Sequence, residues 1–316
     1  MKKITAVITA LFLCAGILTG CAADASNSGD TISVVCTSFP EYDWVRTLLG
    51  DSGSVEVTLL EKGVDIHSYQ PNAEELAKIY DCDLFIYTGG ESEAWSEKAI
   101  EQAQNENMIS MSLLDTLGNA VKEETALEGM EADSDEEPEP DEHVWLSLKN
   151  ARVLCGAIAK NLEKIDPADS DTIKANQQSY DNELASLDED YTQAVRSAAR
   201  NEIIVADRFP FRYLCDDYGI TAYAAFSGCS SETEASFQTV AFLAQKADEI
   251  GTSVILTTEG SGHQIAEAVL NNAGNQSLET AELDSMQTVT QSELDSGKTY
   301  FGTMCANLES LKKALD

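Results

Sequence analysis

Only three histidines occur in the 316 residues, His67, His143 and His263. Each lies in a loop after an apolar run or just ahead of a helix, not on an apolar helical face. A lone histidine more often serves the fold than a metal, but three at such places favour ligands. Neutral imidazole suits zinc and other late first-row metals, and carboxylates complete such sites. Asp207, Glu259 and Asp284 each follow a run that reads as a strand. The pattern points to a metal site that takes His67 and His143 from one half of the chain. The other half would supply some of Asp207, Glu259, His263 and Asp284.

Those residues need two sheets to carry them. ISVVCTSF, VEVTLL, DLFIYTGG and MISMSLL read as strands separated by amphipathic stretches. His67 sits just past the second of them, at the edge where open α/β sheets bind ligands. NEIIVAD, TAYAAF and SVILTTE restart the pattern after residue 200, with a last short strand before Asp284. Between the two series, Asp169 to Arg200 contains neither Gly nor Pro. Its Ile173, Tyr180, Leu184, Leu187, Tyr191 and Val195 fall on one helical face. A helix of about 30 residues would be roughly 45 Å long. Asp169 or Ser170 can cap its start, and Arg196 and Arg200 suit its negative end. It reads as a strut between two lobes. The expected class is α/β: two lobes, each a β/α sandwich with a mainly parallel sheet, joined by one long α-helix. The expected bounds are 31–168, 169–200 and 201–316. Within the first lobe, 117–142 is a loop whose acidic, Pro-broken run from Asp133 to Glu142 cannot bury itself. It either gathers cations for His143 or is a solvated insert.

The net charge of −35 excludes a phosphate-neutralising surface, and with it nucleic acid and anionic lipid as direct partners. The N-terminus reads as targeting sequence. Met1-Lys2-Lys3 is a basic start, and Ile4 to Ile17 is an apolar segment too short for a typical span. Leu18-Thr19-Gly20-Cys21 resembles the bacterial lipobox. Residues 1–20 would then be a signal peptide, Cys21 the lipidated residue, and 21–30 a tether. Cys36, Cys82, Cys155, Cys215, Cys229 and Cys305 show no zinc-knuckle or C-x-x-C spacing. Several read as small hydrophobes, although a disulfide is permitted outside the cytoplasm.

At this point the residues resemble a known family, the solute-binding lipoproteins of zinc and manganese ABC importers. Gly63-Val64-Asp65-Ile66-His67-Ser68-Tyr69-Gln70-Pro71 is similar to its G-x-D-x-H-x-Y-x-P-T motif. Asp141-Glu142-His143-Val144-Trp145-Leu146-Ser147 is similar to D-P-H-V-W-L-D-P, and Leu283-Asp284-Ser285 to L-D-P-L. Gly228-x-Ser230-x-x-x-Glu234-x-Ser236 and Tyr300-x-x-x-Met304-x-x-Asn307-Leu308 also match family segments. The resemblance implies two lobes on one long helix, with His67, His143 and Asp284 as ligands. It implies a third ligand, His or Glu, where this chain has Arg208, and arginine cannot ligate a cation. Asp207 or His263 is the expected replacement, with Glu259 and Arg208 orienting the site. Zinc is the expected cargo on intrinsic affinity, with manganese the alternative. The implied protein is a monomer anchored outside the cell membrane, delivering metal to an ABC permease and its ATPase.

A lipid-anchored metallohydrolase would need an open metal position and a general base, for which Glu259 could serve. No H-E-x-x-H or G-x-S-x-G supports it, so the reading is of a binding protein and not an enzyme. An adhesin is compatible with anchoring and acidity, but no residue pattern names a partner.

Overall fold

The computed structural model describes residues 31–130, 139–230 and 234–316. The signal peptide (1–20), the lipidation at Cys21, the tether (21–30) and most of the acidic run from Asp133 lie outside the described residues.

The first half contains β1 (Ile32–Cys36), α1 (Phe39–Leu49), β2 (Val55–Leu59), α2 (Ala73–Asp81), β3 (Leu84–Tyr87), α3 (Trp95–Glu101), β4 (Ile109–Ser112), α4 (Leu113–Leu117) and α5 (Leu148–Ile165). After α6 (Ser170–Ser197) come β5 (Glu202–Phe209), α7 (Arg212–Tyr218), β6 (Thr221–Ser227), α8 (Phe237–Ile250), β7 (Val254–Thr257), α9 (Gln264–Asn272), β8 (Glu279–Glu282), α10 (Gln291–Asp295) and α11 (Tyr300–Leu315). Each half has a four-stranded parallel sheet, ordered β2-β1-β3-β4 and β6-β5-β7-β8. Short apolar strands separated by amphipathic helices can close only through crossovers, which makes the sheets parallel and buries both faces. Parallel strands also gather their carboxyl ends along one edge. Helices therefore start at that edge: α1 begins shortly after β1, and α7 shortly after β5.

Helix α6 is the expected strut. Ile173, Tyr180, Leu184, Leu187 and Tyr191 are buried on one face, and Val195 is half-buried. Asp169 stands at its start but does not cap it, because its carboxylate accepts hydrogen bonds from Ser52 and Ser54 in the first half. Arg200 lies past its end and donates to the carbonyls of Ile250 and Gly251 (3.3 and 3.0 Å). These are orphan acceptors at the end of α8.

The halves are joined by more than the strut. One apolar cluster runs through both, with Trp44, Trp145, Tyr191 and Tyr300 wholly buried. The Trp145 indole donates to the carbonyl of Ser285 (2.8 Å), and the Tyr300 hydroxyl donates to the carbonyl of Trp145 (2.6 Å). Buried aromatic side chains contribute roughly 1.5–3 kcal/mol each when their polar atoms are paired, as those of Trp145, Tyr191 and Tyr300 are. The six described cysteines are all free, four of them buried.

Candidate metal centre

His67 leaves β2 through residues 60–65 and enters a single 3₁₀ turn, Ile66–Ser68. Asp65 caps that turn by accepting from the His67 backbone N–H (3.0 Å). Its other oxygen takes the Arg208 guanidinium at 2.7 Å, tying the loop to β5 of the second half. The imidazole Nδ1 lies 2.8 Å from Ser92 Oγ and 3.7 Å from Glu142 Oε2. Ser92 follows Gly89 and Gly90, at φ +88° and +89°. A side chain on Gly90 would collide with the Glu142 carboxylate as well as resist that backbone angle.

His143 is wholly buried just ahead of the 3₁₀ turn Val144–Leu146. Its Nδ1 is 2.9 Å from Asp141 Oδ1, which also accepts the His143 backbone N–H (3.0 Å). Asp141 is held in turn by Arg212, 3.5 Å away, and its carbonyl accepts from the Tyr213 hydroxyl (2.7 Å). With the ring protons on Nδ1, facing Ser92 and Asp141, both Nε2 atoms would present lone pairs. Those two atoms face each other at 3.1 Å. The Gln287 side-chain nitrogen reaches both, lying 2.9 Å from His67 Nε2 and in contact with His143 Nε2. An amide NH₂ has two protons to donate, one to each lone pair.

Burial lowers the His67 pKa first, and the nearby His143 lowers it further, to about 3. Burial also works against a charged His143, but the hydrogen bond and charge of Asp141 leave its pKa above the ordinary value.

The second half contributes differently from expectation. Asp284 does not face the imidazoles. It pairs with Lys298 at 2.7 Å and accepts the Met286 N–H at 2.8 Å. Asp207, within β5, is turned to the backbone, accepting from the N–H groups of Arg208 (2.9 Å) and Thr258 (3.4 Å). His263 is exposed at φ +56°, ahead of α9. It lines a neighbouring cavity of about 540 Å³ with Asp207, Arg208 and Glu259, apart from the His67–His143 pair. Glu259 accepts from the Ser285 N–H and hydroxyl and from the Gln287 N–H (2.8, 2.7 and 3.0 Å). Burial and the charge of Asp284 push its pKa up to about 7. It thereby shapes the 284–287 turn, in which Met286 takes φ +61° and Gln287 is directed at the histidines. That tight backbone is over-determined by Glu259 and Asp284 together.

Two residues here lay outside the expected set, Gln287 and Cys229. Cys229 follows β6, and its sulfur is within 4.8 Å of the ligand atoms of His67 and His143. Glu124, from the described start of the acidic loop, accepts the backbone N–H of Gly228 and Cys229 (2.6 and 3.3 Å). Gly228 lies against the His143 ring: a Cβ there would be 2.7 Å from Cε1 and 3.1 Å from the Phe209 carbonyl oxygen. If His143 ligates a metal, Gly228→Ala is expected to weaken binding of zinc by at least about tenfold, since displacing what holds a ligand costs that much in affinity. The melting temperature should change by only a few degrees, and competition titration beside thermal melting checks both.

The family described as zinc-uptake complex component A, periplasmic (ZnuA), matches residues 34–314. The zinc-binding lipoprotein AdcA of Streptococcus pneumoniae strain R6 is 29% identical over the whole chain, which spans only 62% of that longer protein. The high-affinity zinc uptake system protein ZnuA of Bacillus subtilis strain 168 is 28% identical, across 92% of this chain and 90% of its own. The Zn(II)-bound ZnuA-like domain of Streptococcus pneumoniae AdcA superposes with a TM-score of 0.71 at 26% identity, covering 90% of this chain and 99% of that domain. The long strut, the paired parallel sheets and the match along nearly the full length agree, and the chain belongs to the zinc-uptake complex component A family.

Proposed function

We propose that this protein is an extracytoplasmic receptor that captures a divalent transition metal, zinc, and delivers it to an ABC permease driven by its ATPase. One observation carries the reading: the Nε2 atoms of His67 and His143 stand 3.1 Å apart, each ring fixed by a partner at Nδ1. Two zinc–nitrogen bonds of about 2.05 Å at a tetrahedral angle would set the nitrogens about 3.3 Å apart. The relatives named above support zinc over manganese. The lipoprotein name of the Streptococcus pneumoniae relative supports anchoring through Cys21, and we take the working form to be a monomer. Binding without catalysis is favoured because two acids with raised pKa values are already engaged by backbone, Glu259 by the N–H groups of Ser285 and Gln287 and Glu142 by that of Ser92.

The test is a zinc competition titration on the full-length chain against a chelator of known affinity, at pH 7.5 and pH 5. A protonated imidazole cannot ligate, so protons compete with zinc. Asp141 holds the His143 pKa above its ordinary value, so protons compete with the metal more strongly at that ring than at His67, which burial and His143 lower to about 3. Affinity is expected to be at least about tenfold weaker at pH 5. Equal affinity at both values would remove the imidazole pair from the site.

A further inference from the structure

We propose that the Cys229 sulfur is the third protein donor to the captured ion, bound as a thiolate beside the His67 and His143 Nε2 atoms, and that the cargo is a thiophilic cation of zinc's class. The inference rests on the histidine pair being the capture site. Among the described residues, His67, His143 and Cys229 form the one group of three His, Cys, Asp or Glu side chains whose donor atoms lie within 4.8 Å of one another. At tetrahedral angles, a metal–sulfur bond of about 2.3 Å and metal–nitrogen bonds of about 2.05 Å put the sulfur about 3.6 Å from each nitrogen. The sulfur is thus within side-chain adjustment of a bonding position, and the nitrogens already stand close to theirs.

The backbone around Cys229 is built for that approach. Gly228 has no side chain to hold the loop away from His143, and Glu124 fixes the peptide N–H groups of both residues. The three carboxylates expected from the second half are engaged elsewhere. Asp284 is paired with Lys298, Asp207 with two backbone N–H groups, and Glu259 with Ser285 and Gln287. Arg208 occupies the place of the family's third ligand and is held by Asp65. The half of the molecule beyond the strut therefore offers the thiol of Cys229 and the amide of Gln287. The amide presents its oxygen to a cation once it turns over and gives up the contact to the lone pairs.

Two imidazoles, a thiolate and a neutral amide oxygen are a soft-to-borderline donor set. It suits zinc, cadmium and copper(I), whereas manganese(II) favours carboxylate and water oxygens. Loading breaks the S–H bond, forms the metal–sulfur bond and releases the proton to solvent, with no change of oxidation state.

Cobalt(II) is the probe for the full-length chain, because a thiolate ligand gives it a sulfur-to-metal charge-transfer band in the near ultraviolet. The band is expected in the wild-type chain. In Cys229→Ser it should vanish while cobalt still binds through the imidazoles, and zinc affinity should fall by roughly 100-fold or more. Cys229→His, which restores a nitrogen donor, should recover most of that affinity without the band. Near-ultraviolet circular dichroism of each variant checks that the fold survives. Cobalt bound to the wild-type chain without the band, together with unchanged zinc affinity in Cys229→Ser, would overturn the thiolate and leave the histidine reading standing. Failure of the wild-type chain to bind cobalt or zinc would overturn both. Displacement of zinc by equimolar manganese would overturn the cargo class.

Discussion

The full-length chain carrying His67→Ala and His143→Ala together is expected to bind no zinc that survives dialysis, whereas the unaltered chain retains a stoichiometric amount. The pair supplies both lone pairs at the focus of the site, and neither can be replaced from nearby. His263 is exposed in a different loop, and Asp284 is committed to Lys298. Loss of two donors should weaken binding by at least about a thousandfold, or roughly 4 kcal/mol at 1.4 kcal/mol per decade. The two single variants should differ in a second respect. His67 is partly exposed at the rim, so His67→Ala should cost affinity with little effect on melting. His143 is wholly buried against Asp141, and its removal strips the imidazole from a buried carboxylate, leaving it the backbone N–H of residue 143 and Arg212. Truncating one member of such a pair strands the other, so His143→Ala should also lower the melting temperature measurably. Atomic absorption after dialysis, paired with thermal melts, separates these effects. Full zinc retention in the double variant would place the metal elsewhere.

The metal-free protein is expected to be more stable in mild acid than in mild base, by about 10 °C in Tm between pH 5.5 and pH 8. Four acids in the core set this direction. Burial pushes Glu41 up to about 7, Asp43 to about 6, Glu93 to about 8 and Glu259 to about 7. Glu61, with neither carboxylate oxygen hydrogen-bonded, is raised by burial and by the charges of Glu93 and Glu41. A carboxyl whose pKa is higher folded than unfolded favours the fold fully below its unfolded value near 4.5. That contribution is lost as the pH rises through the folded value. For these groups the loss spans about pH 4.5 to 8. The net charge of −35 acts in the same direction, since protonation relieves self-repulsion. His67 opposes it: lowered to about 3, it favours the fold above its ordinary value and withdraws that contribution as the pH falls. One histidine against five buried acids leaves a net gain in acid on the order of 3–5 kcal/mol, which is about 10 °C for a chain of this size. Differential scanning calorimetry in chelator-treated buffer measures it. Glu61→Gln should flatten the profile by removing an unpaired buried charge. A Tm that climbs from pH 5.5 to pH 8 would count against the buried-acid account.

Much of this architecture was legible in the amino-acid order. The three-and-four spacing from Ile173 to Tyr191 specifies one buried face, and no Gly or Pro interrupts it, so the strut follows directly. The strands follow for a similar reason: short apolar runs bounded by turn residues have few other uses. That His67 and His143 come together was legible in part, because imidazoles are rare here and stand at strand and helix boundaries. The second half of the site was less accessible. Asp284 reads as a ligand until Lys298, fourteen positions later, is seen to neutralise it. That pairing depends on how the turn between them folds back. Gln287 is directed inward by a positive-φ turn at Met286, a residue whose type gives no sign of it. Cys229 stands at a strand end like the histidines, but cysteines elsewhere in the chain serve as buried hydrophobes, and the type alone does not tell the two uses apart. The shared core through Trp145 and Tyr300 depends on partners about 150 residues apart and has no local signature.

The parallel sheets carry one more consequence. Helices that begin at the carboxyl edge, such as α1 and α7, direct the positive ends of their dipoles toward that edge. Left to its backbone, such a rim attracts anions. Here Asp65, Asp141, Glu142, Glu124 and Glu259 are set against the polarity of the main chain. The sign of the cargo is thus decided by side chains laid over a scaffold of opposite preference, and exchanging those acids for amides would let the scaffold's own polarity show.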